Sequence, residues 1–270
     1  MTSDINRSNY DPYWLVGYSP YPEPPGRFKK LMLEEKANSR DSIKKALSDA
    51  ILHHHMEPDE IKYCIDELGY SSLAERLPQK TLVTKKGKIK KNTVRIGSFG
   101  EVIAAEHLCQ YHGYKMPVYK LRHTINPKIA LPGEDIIGFK ITEDEKINTI
   151  CLGEVKTLKS FASANVKEAH ERLDKSYTEP VTFYFISREL FKKGEADLAK
   201  QVIQIVGKMG LKNFPTENWI FIITGNKPRN PFKPISEMSS VVNDLNVVSL
   251  HLQDLHDFID ETFELTSKSP

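Results

Sequence analysis

The residues best placed to do chemistry are Glu154 and Lys156, in the run Thr149-Ile-Cys-Leu-Gly-Glu-Val-Lys-Thr157. Side chains of a strand alternate between its faces, so an acid and a lysine two apart project together from one side while Val155 points to the other. Charges on an otherwise apolar strand are costly unless they are paired, metal-bound or catalytic. The spacing alone is uninformative, because Glu34-Glu-Lys36 and Glu60-Ile-Lys62 repeat it in segments that read as solvated helix. What distinguishes Glu154 is the stretch before it. Leu131-Pro-Gly-Glu-Asp-Ile-Ile-Gly-Phe-Lys-Ile141 reads as a second apolar strand entered by a Pro-Gly turn, and Thr142-Glu-Asp-Glu-Lys-Ile-Asn148 is polar and suited to a hairpin turn. Folding the chain there brings Asp135 and Glu154 to neighbouring ends of adjacent strands. Two carboxylates and a lysine so placed predict a divalent-metal site with a cation beside it.

The rest of the chain must supply the frame. Residues 1 to about 36 are rich in aromatics and proline (Tyr10, Tyr13, Trp14, Tyr18 and Tyr21 among Pro12, Pro20, Pro22, Pro24 and Pro25) and are expected to form an extended arm, packed on the body or docked on a partner. Helical spacing of Ile43, Leu47, Ala50 and Ile51 over Ser39 to Met56, and of Ile61, Cys64, Ile65 and Leu68 over Pro58 to Leu68, predicts a helical hairpin. Consecutive helical residues diverge by about 100°, so His53-His-His55 reads as a solvated helix end and not as one metal site. Lys80, Lys85, Lys86, Lys88, Lys90, Lys91 and Arg95 form a run without an acid, either a solvated linker or an arm that grips phosphates by releasing counterions.

Beyond the basic run, Ser98-Phe-Gly-Glu101 has the form of a capping box that opens a helix. Met116 to Arg122 reads as a strand, Ser163 to Tyr177 as a helix, Val181 to Ser187 as a strand buried on both faces, and Glu189 to Lys208 as a helix. Strands at Trp219 to Thr224 and Asn246 to Leu252 and an amphipathic helix through Leu255, Phe258, Ile259 and Phe263 follow. Strands alternating with helices after a hairpin predict an α/β sandwich with a mixed sheet. The expected division is residues 1–92 as arm, helical hairpin and basic linker, and residues 93–270 as the catalytic body.

With 270 residues, 39% of them hydrophobic, the chain can bury one sizeable core plus an accessory region. Its net charge of +2 leaves a local basic surface for nucleic acid open. Cys64, Cys109 and Cys151 are widely spaced and odd in number, which suggests neither disulfides nor a thiolate zinc site and suits a reducing cytoplasm. The N-terminus does not read as a signal peptide, and no apolar run approaches the length that spans a bilayer. Arg95-Ile-Gly-Ser-Phe-Gly-Glu-Val102 imitates a kinase glycine-rich loop, but lacks its first glycine and the catalytic motifs that should follow. No phosphate-binding P-loop occurs, so any ATP-driven step belongs to another protein.

Three pieces stand in order: Arg95-Ile-Gly-Ser-Phe-Gly-Glu-Val-Ile-Ala-Ala-Glu-His-Leu108, Gly133-Glu-Asp-Ile-Ile-Gly-Phe139 and Gly153-Glu-Val-Lys-Thr157. Together they resemble the PD-(D/E)xK nuclease superfamily and, more narrowly, the HamA-type nuclease subunit of Hachiman antiphage systems. The resemblance covers the chain from about Arg95 onward, and departs from the pattern in having Glu134 where proline would precede Asp135. It implies a restriction-endonuclease-like mixed sheet flanked by helices, with a helical region before it. It also implies Mg²⁺, or Mn²⁺ in its place, held by Asp135, Glu154 and the Val155 carbonyl. Glu101 either reaches the same ion or only caps its own helix. Asp135, Glu154 and Lys156 would be the catalytic residues, with Lys156 orienting or helping to deprotonate the attacking water. Two carboxylates so close repel, and without metal one should have a raised pKa. The implied partners are DNA and a superfamily 2 helicase that restrains the nuclease. The competing expectation is a catalytically inactive nuclease fold that binds nucleic acid or regulates a helicase.

Overall fold

A near-continuous apolar run after the hairpin turn forms the strand that carries Glu154. A computed structural model describes residues 15–18, 27–69, 71–83, 89–124, 126, 129, 132–178 and 180–268. In chain order the elements are β1 (Leu15–Tyr18), β2 (Lys29–Glu35), α1 (Arg40–His55), α2 (Pro58–Tyr63), α3 (Ser71–Arg76), β3 (Thr81–Val83), β4 (Ile89–Lys91) and α4 (Thr93–His112). Then come β5 (Ile136–Ile141), β6 (Ile147–Leu158), α5 (Ser163–Ser176), α6 (Val181–Lys192), α7 (Ala196–Gln204), β7 (Thr216–Thr224), α8 (Lys233–Ser236), β8 (Leu245–His251) and α9 (Leu255–Thr266).

Six strands form one mixed sheet in the order β1-β2-β8-β7-β6-β5. The four central strands run parallel, and β1 and β5 lie antiparallel at the two edges. The expected hairpin forms, with Ile136 opposite Gly153 and Glu145 in the turn at φ 59°. Burial on both faces explains the near-continuous apolar runs of β7 and β8. One face packs α1, α4 and α9 around Phe99, Val155, Phe221 and Phe258. The other packs α5, α6 and α7 around Leu152, Leu173, Phe183 and Ile222. This is the expected α/β sandwich of the restriction-endonuclease-like kind.

Helix α4 is set against β6 by its sequence. Asn92 Oδ1 accepts from Val94 N–H (3.0 Å), and Gly113 closes the helix at φ 68°. Gly100 permits close approach, since a Cβ there would lie 2.0 Å from Thr157 Oγ1 and 2.9 Å from a Val155 methyl carbon. The helix therefore begins at Thr93, not at a capping box: Ser98 Oγ donates to Arg95 O, and Glu101 lies in mid-helix.

Several expected elements differ. Met116 to Arg122 is not a strand; Lys115 makes one bridge to Phe139, Pro117 has no N–H to extend it, and the chain turns into a 3₁₀ segment at Lys120–His123. Val181 to Ser187 is the start of α6, not a strand. Its β-branched and aromatic content mimics one, but Phe183, Ile186 and Leu190 are buried at helical spacing while Val181 and Tyr184 are exposed. Gly194, at φ 84°, separates α6 from α7, so the helix expected over Glu189 to Lys208 is two, and a π-helical turn (Ile205–Met209) ends the second. Glu34 belongs to β2 and not to a helix. The described part of the N-terminal arm is extended, and β2 pairs with β8 inside the main sheet. Tyr10, Tyr13, Trp14 and Tyr21 lie outside the described residues.

The histidine triplet is not a solvated helix end. His54 and His55 are buried; His54 Nε2 meets Glu106 Oε1 at 2.8 Å, and His55 Nδ1 meets the Ile51 carbonyl at 2.8 Å.

Candidate functional site

The β5–β6 ladder ends at Ile136 opposite Gly153, so Asp135 and Glu154 are the next residues on either side of its open end. At that point β6 loses its ladder partner, and Asp135 replaces it: Oδ2 accepts from Val155 N–H at 2.8 Å. Gly133, at φ 99°, shapes the approach to Asp135; a Cβ there would lie 2.1 Å from Thr182 Oγ1 of α6.

Glu154 is 1% exposed, and its Oε2 accepts from Arg172 Nη1 of α5 at 3.0 Å. Burial, and then the charge of Asp135, push its pKa up to about 8 against the opposing pull of Arg172 and Lys156. Glu101 reaches the same region from α4. Burial raises its pKa to about 7; Lys120 opposes the shift and the Asp135 charge adds to it. Lys156 shares the Glu154 face of β6, as the alternation requires, but its Nζ bonds Glu168 Oε1 of α5 at 3.0 Å. The two charges thus sit side by side with separate partners on α5.

The structure therefore brings Glu101, Asp135, Glu154 and Lys156 to one end of the β5–β6 pair. A small solvent-open cleft of about 40 Å³ adjoins it, lined by Glu101, Lys120, Glu134, Asp135 and Thr182 among others. Glu134 also lines this cleft. Its carbonyl accepts from Lys120 Nζ at 2.7 Å, and its buried Oε2 has no hydrogen-bond partner.

As placed, no three His, Cys, Asp or Glu side chains among the described residues stand close enough to hold a metal ion. Val155 N–H and Arg172 take the oxygens that an ion would use. The donor chemistry nevertheless fits a divalent cation: Asp135 stands near Glu101 and Glu154, both driven toward protonation by burial and by the Asp135 charge, and Glu134 adds a buried oxygen without a hydrogen-bond partner to the adjoining cleft.

Arg172, Glu168 and Lys120 were not legible as parts of this site. Glu168 and Arg172 lie one turn apart and so share a face of α5, but nothing in the sequence says that this face covers β6. The basic run is tied at both ends: Lys80 pairs with Asp260 (3.1 Å), and Arg95 is buried over the Phe263 ring and bonded to Asp260 O. Lys85, Lys86 and Lys88 lie outside the described residues.

The sheet order, the flanking helices and the acids at the hairpin's open end define the class as an α/β protein of restriction-endonuclease-like architecture. The HamA family model matches residues 15–265, so the chain belongs to the HamA family and with it to antiphage defence of the Hachiman type. No curated protein matches the sequence. Among the described residues no helix is long and apolar enough to cross a membrane.

Proposed function

We propose that the chain is the metal-dependent nuclease of a Hachiman complex, cleaving DNA phosphodiesters under the restraint of a superfamily 2 helicase. The observation that carries this reading is the convergence of Glu101 and Glu154 on Asp135: burial, and beside it the Asp135 charge, raises the proton affinity of both, with only partial relief from Arg172, Lys120 and Lys156. Asp135 and Glu154 would hold Mg²⁺ or Mn²⁺, with Glu101 and the Val155 carbonyl as further donors. Bound there, the ion would supply an acidified water and neutralise charge on the phosphate.

The chain's own residues do the rest. Lys156, steadied by the exposed carboxylate of Glu168, orients the attacking water or offsets charge as it develops. Arg172 balances Glu154 in the resting protein, and its half-exposed guanidinium is placed to exchange that carboxylate for a phosphate oxygen. Burial of Glu154 excludes water from one side of the site. The test is incubation of the purified chain, alone and with its helicase partner, with plasmid DNA and Mg²⁺. Degradation that Glu154→Gln abolishes supports the reading. No degradation under either condition, and none in infected cells, would overturn it in favour of a nuclease fold kept for binding or regulation.

A further inference from the structure

Helix α6 carries an exposed stripe that the packing of the fold does not use. Val181 is 70% exposed, Tyr184 54% and Phe191 69%. At about 100° per residue these three, with Arg188 and Lys192, fall within roughly one third of the helix circumference. The opposite side holds Phe183, Ile186 and Leu190 and is buried in the core. Two aromatic rings seven residues apart stand about 10 Å apart along the axis. Between and beside them lie cations: Arg188 is seated near the Phe185 ring (5.6 Å), and Lys192 and Lys193 follow, the latter paired with Glu57 (3.2 Å). The acid among them, Glu189, is buried, and its carboxylate accepts from Lys192 (2.8 Å) and Arg188 (3.2 Å).

The same helix borders the candidate site. Thr182, Phe185 and Ile186 line the cleft that holds Glu101 and Asp135, so a polymer leaving that cleft meets α6 and can follow its outer face. Alternating aromatic and cationic groups are the pattern that binds single strands, because every base has a π face to stack and every phosphate a charge to neutralise. We propose that the Tyr184–Arg188–Phe191–Lys192 face of α6 is a stacking platform for single-stranded nucleic acid that feeds the acid site. The proposal rests on the nuclease reading for what happens at the site, but not for the binding itself.

The test separates the two. The full-length chain carrying Glu154→Gln, in EDTA, is titrated with a fluorescent 20-nucleotide oligothymidine and with a 20-base-pair duplex, and binding is followed by anisotropy. The single strand should bind more tightly, and Tyr184→Ala and Phe191→Ala should each weaken it by roughly tenfold. Tyr184→Trp should restore affinity, with quenching of the added indole on stacking. All variants are checked for unchanged thermal melting, which substitutions at such exposed positions should leave intact. Equal single-strand affinity in wild type and the double alanine variant overturns the proposal, whether or not plasmid is cleaved. So does loss of association with a partner protein in that variant while oligothymidine binding is unchanged. Loss of oligothymidine binding in a chain that cleaves nothing retains the platform and overturns only the nuclease reading.

Discussion

Two polar regions on either side of the middle of β6 bury ionisable groups of opposite charge type, with different neighbours. Toward the strand's start, His107, His112, Trp219 and Cys151 pack together, with ring centroids of His112 and Trp219 4.5 Å apart and those of His107 and Phe221 5.7 Å apart. Burial pushes His107 down to about 3, so it stays neutral, and the charged residues beside the cluster, Lys140 and Glu217, are paired at 2.9 Å. Toward the strand's end burial again favours the neutral form, of Glu101 and Glu154, but there the charge of Asp135 adds to the shift, so like charges are gathered and not paired off. In the first region the ionisable groups are kept neutral or paired, although both ring nitrogens of His107 and Trp219 Nε1 are buried without a hydrogen-bond partner. The second departs from that solution, and such departures concentrate where a protein binds or reacts.

The largest effect expected within this contrast is on catalysis. Lys156→Met should lower Mg²⁺-dependent cleavage by a factor on the order of 10² to 10⁴ while leaving metal binding intact, since a protonated lysine is not a ligand and methionine fills the stem's volume. Single-turnover cleavage and metal titration on the same variant check it. A normal rate would refute the role given to Lys156, and an unfolded variant would make the lysine structural.

Gly100→Ala should come next, because it forces α4 off β6 at Thr157 and Val155, both short and branched. The expected loss is about 1–3 kcal/mol by urea unfolding, with weaker cleavage because Glu101 moves with the helix. If stability is unchanged, the close approach is not what seats Glu101.

A smaller pair of effects has opposite signs at the two regions. Glu101 and Glu154 are raised above their unfolded values, so the metal-free folded state binds more protons than the unfolded one between about pH 4.5 and 8. Stability should then fall as pH rises through that window. Glu154→Gln should flatten the slope and raise Tm at pH 8 by about 2–4 °C, the equivalent of about 1 kcal/mol in a chain of this size. His107 is lowered, so the folded state binds fewer protons than the unfolded one between pH 6.5 and about 3, and stability is lost as pH falls. His107→Phe should flatten only that acid limb and change stability at pH 8 by less than about 1.5 kcal/mol. Melting curves across pH for both variants check the pair. Slopes of the same sign would erase the distinction between the two regions.

The contrast also marks how far the sequence could be read. The β5–β6 hairpin, Asp135 and Glu154 at neighbouring ends of its strands, and Lys156 on the Glu154 face follow from alternation and a turn, which are local properties. Glu101 was ambiguous because Ser98 and Glu101 have cap spacing; Asn92, six residues earlier, is the cap that forms. Helix α6 reads as a strand because Val181-Thr-Phe-Tyr-Phe-Ile-Ser187 has strand composition, and only its packing against the sheet shows that Val181 and Tyr184 face solvent. Arg172 and Glu168 could not be assigned, since their position depends on the path of α5 across β6. The buried histidines, and β2 beside β8, likewise depend on contacts between distant segments.

The central claim is that the crowded acids exist to hold a divalent cation, and calorimetric titration of Mn²⁺ into the metal-free protein at pH 7 tests it most directly. Run in two buffers of different ionisation enthalpy, it reports both binding and the protons released. Binding with release of about one proton is expected, because an ion displaces protons from carboxylates whose pKa lies near the working pH; Asp135→Asn and Glu154→Gln should abolish both signals. No binding, or binding and proton release unchanged in those two variants, would contradict the account.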